Sequence, residues 1–298
     1  MLLQYKELFA DRIMKINKFT QRQVMQNQGY EIFFYSTQEH CNVELHHHDF
    51  YEIYYFISGS VEYDIDCCSY LLRPGDIVLI APGKLHKPVF LEEGKKYQRI
   101  VLWLSKKMIE ELSTVKTDLT LCFRLAGQEG CNRISNDKNI TPQVKKWLDK
   151  LLDISNKDSF GADILSKAYI QYILIKLANY LAVNKSTKQH NAQRTPIMEG
   201  ALAYINSNLT YDLRLDSIAD SLEVNKYYLA HEFKRHLGIN IGRYITLKRL
   251  SLAKELLLSG KSVQDASQES GFNNLSNFFR VFKTEFGLTP RQFYKMMQ

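Results

Sequence analysis

No run in this 298-residue chain approaches the ~18 consecutive apolar residues that would span a bilayer. The opening stretch, MLLQYKELFADRIMKINKF, is charged throughout and lacks the apolar block of an export signal. These absences predict a soluble, cytoplasmic protein with no membrane partner. Cysteine is sparse as well. There are five (Cys41, Cys67, Cys68, Cys122, Cys131), an odd number without metal-type spacing, and they read as reduced thiols. Cys67 and Cys68 are adjacent, and neighbours on a strand point to opposite faces, which argues against a redox pair. What is present in quantity is hydrophobic residues, 45% of the chain, in a length that suits two domains.

Acidic residues are scarce in one part only. Residues 1–183 hold 23 Lys/Arg against 22 Asp/Glu, a balance of +1, whereas residues 184–298 hold 16 against 10, a balance of +6. The second part therefore suits a polyanion and the first a different task. The stretch 184–195 has no acid and no large apolar residue, and reads as a linker.

Before the linker, β-branched and aromatic runs at 51–57, 61–65, 76–80 and 99–103 alternate with Ser58-Gly59-Ser60, Arg73-Pro74-Gly75 and Ala81-Pro82-Gly83 turns. Many short strands over 30–104 predict a sandwich or barrel. A short helix is expected at 105–112, irregular chain over 113–140, and helices from Thr141 to Asp153 and from Ala162 to Val183. The last has an apolar surface wider than one stripe, so it packs on the barrel with one face and on a second helix with the next. A dimer partner or an intramolecular neighbour could supply that helix; the expectation adopted is a homodimer.

After the linker the chain reads as all-helical and carries a repeat. Phe233-Lys234-x3-Gly238 recurs 49 residues later as Phe282-Lys283-x3-Gly287. Each copy follows a short apolar-periodic segment and a polar turn, the layout of a helix-turn-helix, so double-stranded DNA is the implied partner. Asn225 and Asn274 are placed to cap the second helix of each unit, and Ser262 to cap the first helix of the second. Leu229 and Phe233 face inward in one copy, Phe278 and Phe282 in the other. That leaves Lys226, Tyr227, Ala230, His231 and Lys234, and then Leu275, Ser276, Arg280 and Lys283, for the groove. Arg280 is the strongest base-edge candidate, because a guanidinium bonds guanine O6 and N7 together. Lys234 and Lys283 suit phosphate. Ile241 to Leu258 reads as one spacer helix of about 27 Å, which would set the reading helices near one DNA turn apart.

The sequence Arg249-Leu250-x2-Ala253, Val263-x2-Ala266-Ser267, Gly271-Phe272, Phe278-x3-Phe282-Lys283-x3-Gly287-Leu288-Thr289-Pro290 resembles the signature of AraC-type transcriptional regulators over 196–298. The resemblance implies two helix-turn-helix motifs joined by a linker helix, and contact with RNA polymerase near promoters. It points to Tyr227, Ala230 and His231 in the first motif and to Leu275, Ser276 and Arg280 in the second as base readers.

In the first part, His46-x-His48-x3-Glu52-x6-Gly59 and Pro82-Gly83-x2-His86 resemble the two cupin motifs, which implies a small β-barrel that binds an effector. His46, His48, Glu52, Tyr54 and Phe56 share strand parity and can line one face. Two His, a Glu and a third His form a set that a divalent metal accepts. Against that, Phe90 stands where the second motif's trailing Asn is expected, and regulators of this type usually keep the barrel without metal chemistry. The expectation adopted is a metal-free, aromatic-lined polar pocket made by His46, His48, Glu52, Tyr54, His86, Gln98 and Trp103, with no catalytic residue and no cofactor. By analogy the effector is a small carbohydrate. A metal-dependent cupin enzyme and a DNA binder with a silent barrel are the alternatives. The predicted class is α+β: a cupin-like sensing and dimerisation domain (1–183), a linker (184–195) and a DNA-binding domain (196–298).

Overall fold

Strand residues with two different packing surfaces explain why the first part reads as near-continuous apolar runs. The computed structural model describes residues 25–38, 43–66, 68–128, 132–155, 159–184 and 196–297. Cys41, Cys67, Cys131, the segment before residue 25 and residues 185–195 of the expected linker lie outside the described residues. The chain divides into two units, Met1–Ala192 and Gln193–Gln298.

In the first unit, β1 (Tyr30–Thr37), β7 (Tyr97–Leu104), β2 (Tyr51–Ser58), β5 (Ile77–Ile80) and β8 (Arg133–Ile134) lie in that order in one antiparallel sheet. A second sheet has the order β4 (Cys68–Leu71), β3 (Val61–Ile65), β6 (His86–Phe90). The two-residue period sorts β2 and β7 between two cores. Tyr54, Phe56, Tyr97, Val101 and Trp103 join Tyr63, Ile65 and Tyr70 of the second sheet in an aromatic interior. Ile53, Tyr55, Ile100, Leu102 and Leu104 face the other way, into the core shared with the helices. Burying each such Ile or Leu contributes roughly 1.5–3 kcal/mol.

The helices of this unit are α1 (Lys106–Leu112), α2 (Leu121–Gln128), α3 (Thr141–Ser155) and α4 (Ala162–Val183). α2 and β8 correct the expectation of irregular chain over 113–140. Cys122, Phe123 and Ala126 form a short helical stripe that is fully covered, with Leu119 packed in the same core from the turn before it. β8 is two residues long and exists through its pairing with Ile77 and Val78, too little to leave a periodic signal. α4 buries Ile170, Ile173, Leu174, Leu177 and Ala178 against α2 and α3. Ile164, Leu165, Ile175 and Val183 on the same helix remain exposed.

The second unit is helical: α5 (Pro196–Ser207), α6 (Leu215–Ser221), α7 (Lys226–Leu237), α8 (Ile241–Leu258), α9 (Val263–Glu269), α10 (Leu275–Phe286) and α11 (Pro290–Met297). α5, α6 and α7 pack together, and the ring of Phe233 meets Tyr244 of α8 edge-on at 5.3 Å. The far end of α8 packs on α9 and α11. There Leu250, Ala253 and Leu257 share a core with Ala266, Phe272, Phe278, Phe282 and Phe293. α8 thus belongs to both groups.

Candidate functional site

The two helices that the sequence assigns to the groove, α7 and α10, are built alike. Each has 12 residues. Asn225 Oδ1 accepts from the Tyr227 N–H at 2.8 Å, and Asn274 Oδ1 from the Asn277 N–H at 2.9 Å. Each ends on a left-handed glycine, Gly238 (φ 73°) or Gly287 (φ 72°), whose N–H returns to the carbonyl of Lys234 or Lys283. Ser262 caps α9 as expected, its Oγ accepting from the Asp265 N–H. The turns match too: Val224 N–H bonds Ala219 O at 3.1 Å, and Phe272 N–H bonds Ser267 O at 3.0 Å. The left-handed position within each turn is Glu223 (φ 54°) in the first motif and Gly271 (φ 90°) in the second.

Gly271 has a second reason to be glycine. A Cβ there would lie 2.8 Å from Leu209 O and 2.9 Å from Arg249 Nε. Arg249, on α8, donates from Nε to Leu209 O (2.9 Å) and from Nη2 to Tyr211 O (2.6 Å). The loop leading into the first motif is therefore clamped by α8 directly against the turn of the second. Arg243 at the start of α8 also pairs with Glu285 near the end of α10. These contacts fix one motif relative to the other.

The outward faces carry different chemistry. On α7, Tyr227 and His231 are open to solvent, and Tyr227 is 75% exposed. Tyr228, which sequence reasoning did not name, is 49% exposed beside them. Lys226 points its ammonium at Asp216 of α6, 2.7 Å away. Ala230 is half-buried, so it sits at the margin of this face. Lys234 is exposed. On α10, Leu275, Ser276, Arg280 and Lys283 are all exposed. Asn277 accepts from Arg280 Nη2 at 2.8 Å and was also missed. The 49-residue offset equates Tyr228 with Asn277 and His231 with Arg280, so the two omissions are a single position of the repeat.

The aromatic interior of the first unit gathers most of the residues expected in a pocket. Glu52 on β2 pairs in register with Trp103 on β7, and Trp103 Nε1–H donates to Glu52 Oε2 at 2.8 Å. His48, from the segment before β2, places Nε2 3.2 Å from the same oxygen. His46 forms a backbone bridge with His86 of β6, and their rings lie 4.3 Å apart. His48 and His86 have ring centroids 4.8 Å apart. Tyr54 reaches the Tyr97 hydroxyl, and its ring lies 4.9 Å from Tyr63. Loss of water pushes His46 down to about 4 and holds His86 well below the ordinary imidazole value, with neighbouring imidazoles adding to the effect. Burial raises the Tyr54, Tyr63 and Tyr97 phenols.

Gln98 is the exception and a correction. Even-numbered positions on β7 face the helices, and Gln98 bonds Ser58 and Ser36 on the flanking strands β2 and β1 instead of entering the interior. The parity that admits Trp103 excludes it. The same parity would have found Tyr97 and Arg99. Arg99 is buried, with its guanidinium 4.1 Å from the Tyr97 ring and 4.7 Å from that of Tyr35.

Residues 30–174 match the family described as AraC-like ligand binding domain, and residues 218–296 match one described as Helix-turn-helix domain. An HTH-type transcriptional regulator in the cgkA 5' region of Pseudoalteromonas carrageenovora is 34% identical over 114 residues, 37% of this chain and 68% of that one. The chain belongs to the AraC family of transcriptional regulators. The similarity to other HTH-type transcriptional regulators is longer though weaker. YfiF of Bacillus subtilis is 25% identical over 94% of this chain and 89% of its own. The activator RhaS of Escherichia coli is 23% identical over 83% of this chain and 85% of its own. This AraC-family chain is a regulator with a ligand-binding and a DNA-binding domain, and it is not an enzyme. Among the described residues no helix is long and apolar enough to cross a membrane.

Proposed function

We propose that this AraC-family regulator is a cytoplasmic homodimer that reads operator DNA with α7 and α10 and is switched by a small carbohydrate in the barrel. Residues 1–183 sense and dimerise, 184–195 link, and 196–298 bind DNA. Tyr227, Tyr228 and His231 meet one major-groove face, and Ser276, Asn277 and Arg280 the next. Lys234 and Lys283 bear on phosphate. The observation that carries this reading is the pair of asparagine-capped helices with polar outer faces, joined through the Arg249–Gly271 junction.

A carbohydrate suits an interior where Trp103, Tyr54 and Tyr63 offer ring faces to C–H groups and Glu52 accepts from a hydroxyl. The exposed apolar residues of α4, Ile164, Leu165 and Ile175, suit a second copy of that helix. RNA polymerase is the further partner that the family implies. For an effector to act, its affinity must differ between two domain arrangements.

The test is selection of bound sequences from a random DNA pool by the full chain, with and without sugars. Enrichment of one bipartite motif is expected, together with a sugar that raises stability by about 2.7 kcal/mol at ~100 times its Kd. A pool that stays random would refute the DNA assignment. A sugar panel without any shift would refute the carbohydrate.

A further inference from the structure

The aromatic interior of the first unit holds a cation that a neutral carbohydrate does not use. Arg99 is 5% exposed, and its Nη1 is shut off from water. It pairs in register with Tyr35 of β1 and Phe56 of β2, so it projects from the middle of the sheet on the inward-facing side. The Tyr97 and Tyr35 rings flank its guanidinium. Ring faces attract the charge, yet they offset only part of the cost of taking an ion out of water. They also do not take up the coplanar N–H donors, which suit oxygen acceptors.

The carboxylates of the same face stand at its other end. Glu31 and Glu52 both pair in register with Trp103, four residues along β7 from Arg99 and so about 13 Å away along the strand. Glu31 accepts from the Asn27 N–H at 2.7 Å, and Glu52 from Trp103 Nε1–H at 2.8 Å. Burial lifts the Tyr97 phenol, Arg99 opposes the rise and Glu52 adds to it, so both charges bear on one interior. The rings of His46, His48 and His86 each bond a main-chain carbonyl through Nδ1, which leaves Nε2 to the interior. His86 Nε2 is fully buried there and has no hydrogen-bond partner. A hydroxyl both donates and accepts, so it satisfies such a nitrogen in either protonation state.

We propose that the effector of this interior is a small polyhydroxy carboxylic acid, its carboxylate held by the Arg99 guanidinium and its hydroxyl end turned to Glu52 and His86. The inference rests on the reading of this interior as the effector site and narrows the ligand from carbohydrates at large to acidic ones. A guanidinium bonds a carboxylate through two parallel N–H···O contacts, a match that no neutral hydroxyl gives. The opposite end sets the orientation, because a carboxylate beside Glu52 would meet like charge. A neutral sugar would serve Glu52 and His86 but would bring no charge to Arg99.

The experiment is isothermal titration calorimetry of the full chain with matched probes at constant ionic strength: D-galacturonate against D-galactose, and D-gluconate against D-glucitol. At least one acid should bind roughly tenfold or more tighter than its neutral counterpart. Arg99→Met keeps an unbranched side chain without the charge and should bring the pair to within about twofold, whereas Arg99→Lys should retain part of the preference. Neutral probes bound as tightly as the acids would overturn the proposal and leave the sensing reading standing. An acid preference that survives Arg99→Met would also overturn it. Absence of binding by all four probes would overturn the proposal together with the carbohydrate reading. The comparison within the wild-type chain needs no variant, so a substitution that fails to fold does not blunt the test.

Discussion

Gly271→Ala and Gly287→Ala make the same chemical change at two left-handed positions, φ 90° and φ 72°. They differ in what the new methyl meets. At Gly287 nothing lies within 4 Å, so the cost is the left-handed strain of an L-residue, ~1–2 kcal/mol, offset by ~0.4–1 kcal/mol of lost freedom in the unfolded chain. At Gly271 the methyl would sit 2.8 Å from Leu209 O, 2.9 Å from Arg249 Nε and 3.0 Å from Thr210 Cα. Two of these are backbone atoms that the Arg249 clamp holds in place. Forcing them apart adds roughly 1–3 kcal/mol, as overpacking does. Gly271→Ala should therefore cost about 2–4 kcal/mol and Gly287→Ala about 1 kcal/mol. Denaturant titration followed by far-UV circular dichroism reports on the helices of both units, and the part of its transition absent from tryptophan emission belongs to Gln193–Gln298. Emission from Trp103 and Trp147, both in Met1–Ala192, reports on the other unit. The dichroism midpoint should fall further for Gly271→Ala, with the tryptophan midpoint unmoved. Equal costs at the two glycines would refute the claim that the motifs abut at this junction.

Other outcomes follow from the outer faces. Arg280→Ala should relax discrimination at one base pair by ~1–3 kcal/mol, read from competitor ratios. An unchanged ratio would contradict base readout by its guanidinium. Lys283→Ala should weaken binding to all sequences and flatten the salt slope by about one unit. Lys226→Ala should flatten it less, because the Lys226 ammonium is already engaged by Asp216 at 2.7 Å. Equal slopes for the two variants would contradict that distinction. Cys122 is fully buried and its thiol is pushed up to about 12, so alkylation at pH 8 followed by mass spectrometry should modify it only on unfolding. Rapid labelling of the native chain would contradict the packing of α2.

What was legible in the sequence was mostly local. The caps at Asn225, Asn274 and Ser262 and the glycines at 238 and 287 act within a few residues of themselves, so composition and spacing reveal them. The limits of α4 and α8 followed from long apolar periodicity. The strand parity that brings Glu52, Tyr54 and Trp103 into one interior was equally readable; it sets Gln98 and Trp103 on opposite faces of β7 and places Tyr97 and Arg99 with Trp103. α2 escaped because its stripe is a single short one. The long-range features were beyond a pattern search. Arg249 stands out in the sequence as part of a signature, but its clamp on Leu209 and Tyr211 appears only when loop, helix and turn are brought together. The same holds for the histidines, whose main-chain partners decide which nitrogen faces the interior.

The account depends most on one chain presenting α7 and α10 to a single duplex. Hydroxyl-radical footprinting of the full chain on a selected site measures this directly. The account predicts protection on one face of the DNA at two positions about 10 base pairs apart, and loss of one of them when 5 base pairs are inserted between. A single protected patch, or two patches that tolerate the insertion, would contradict it.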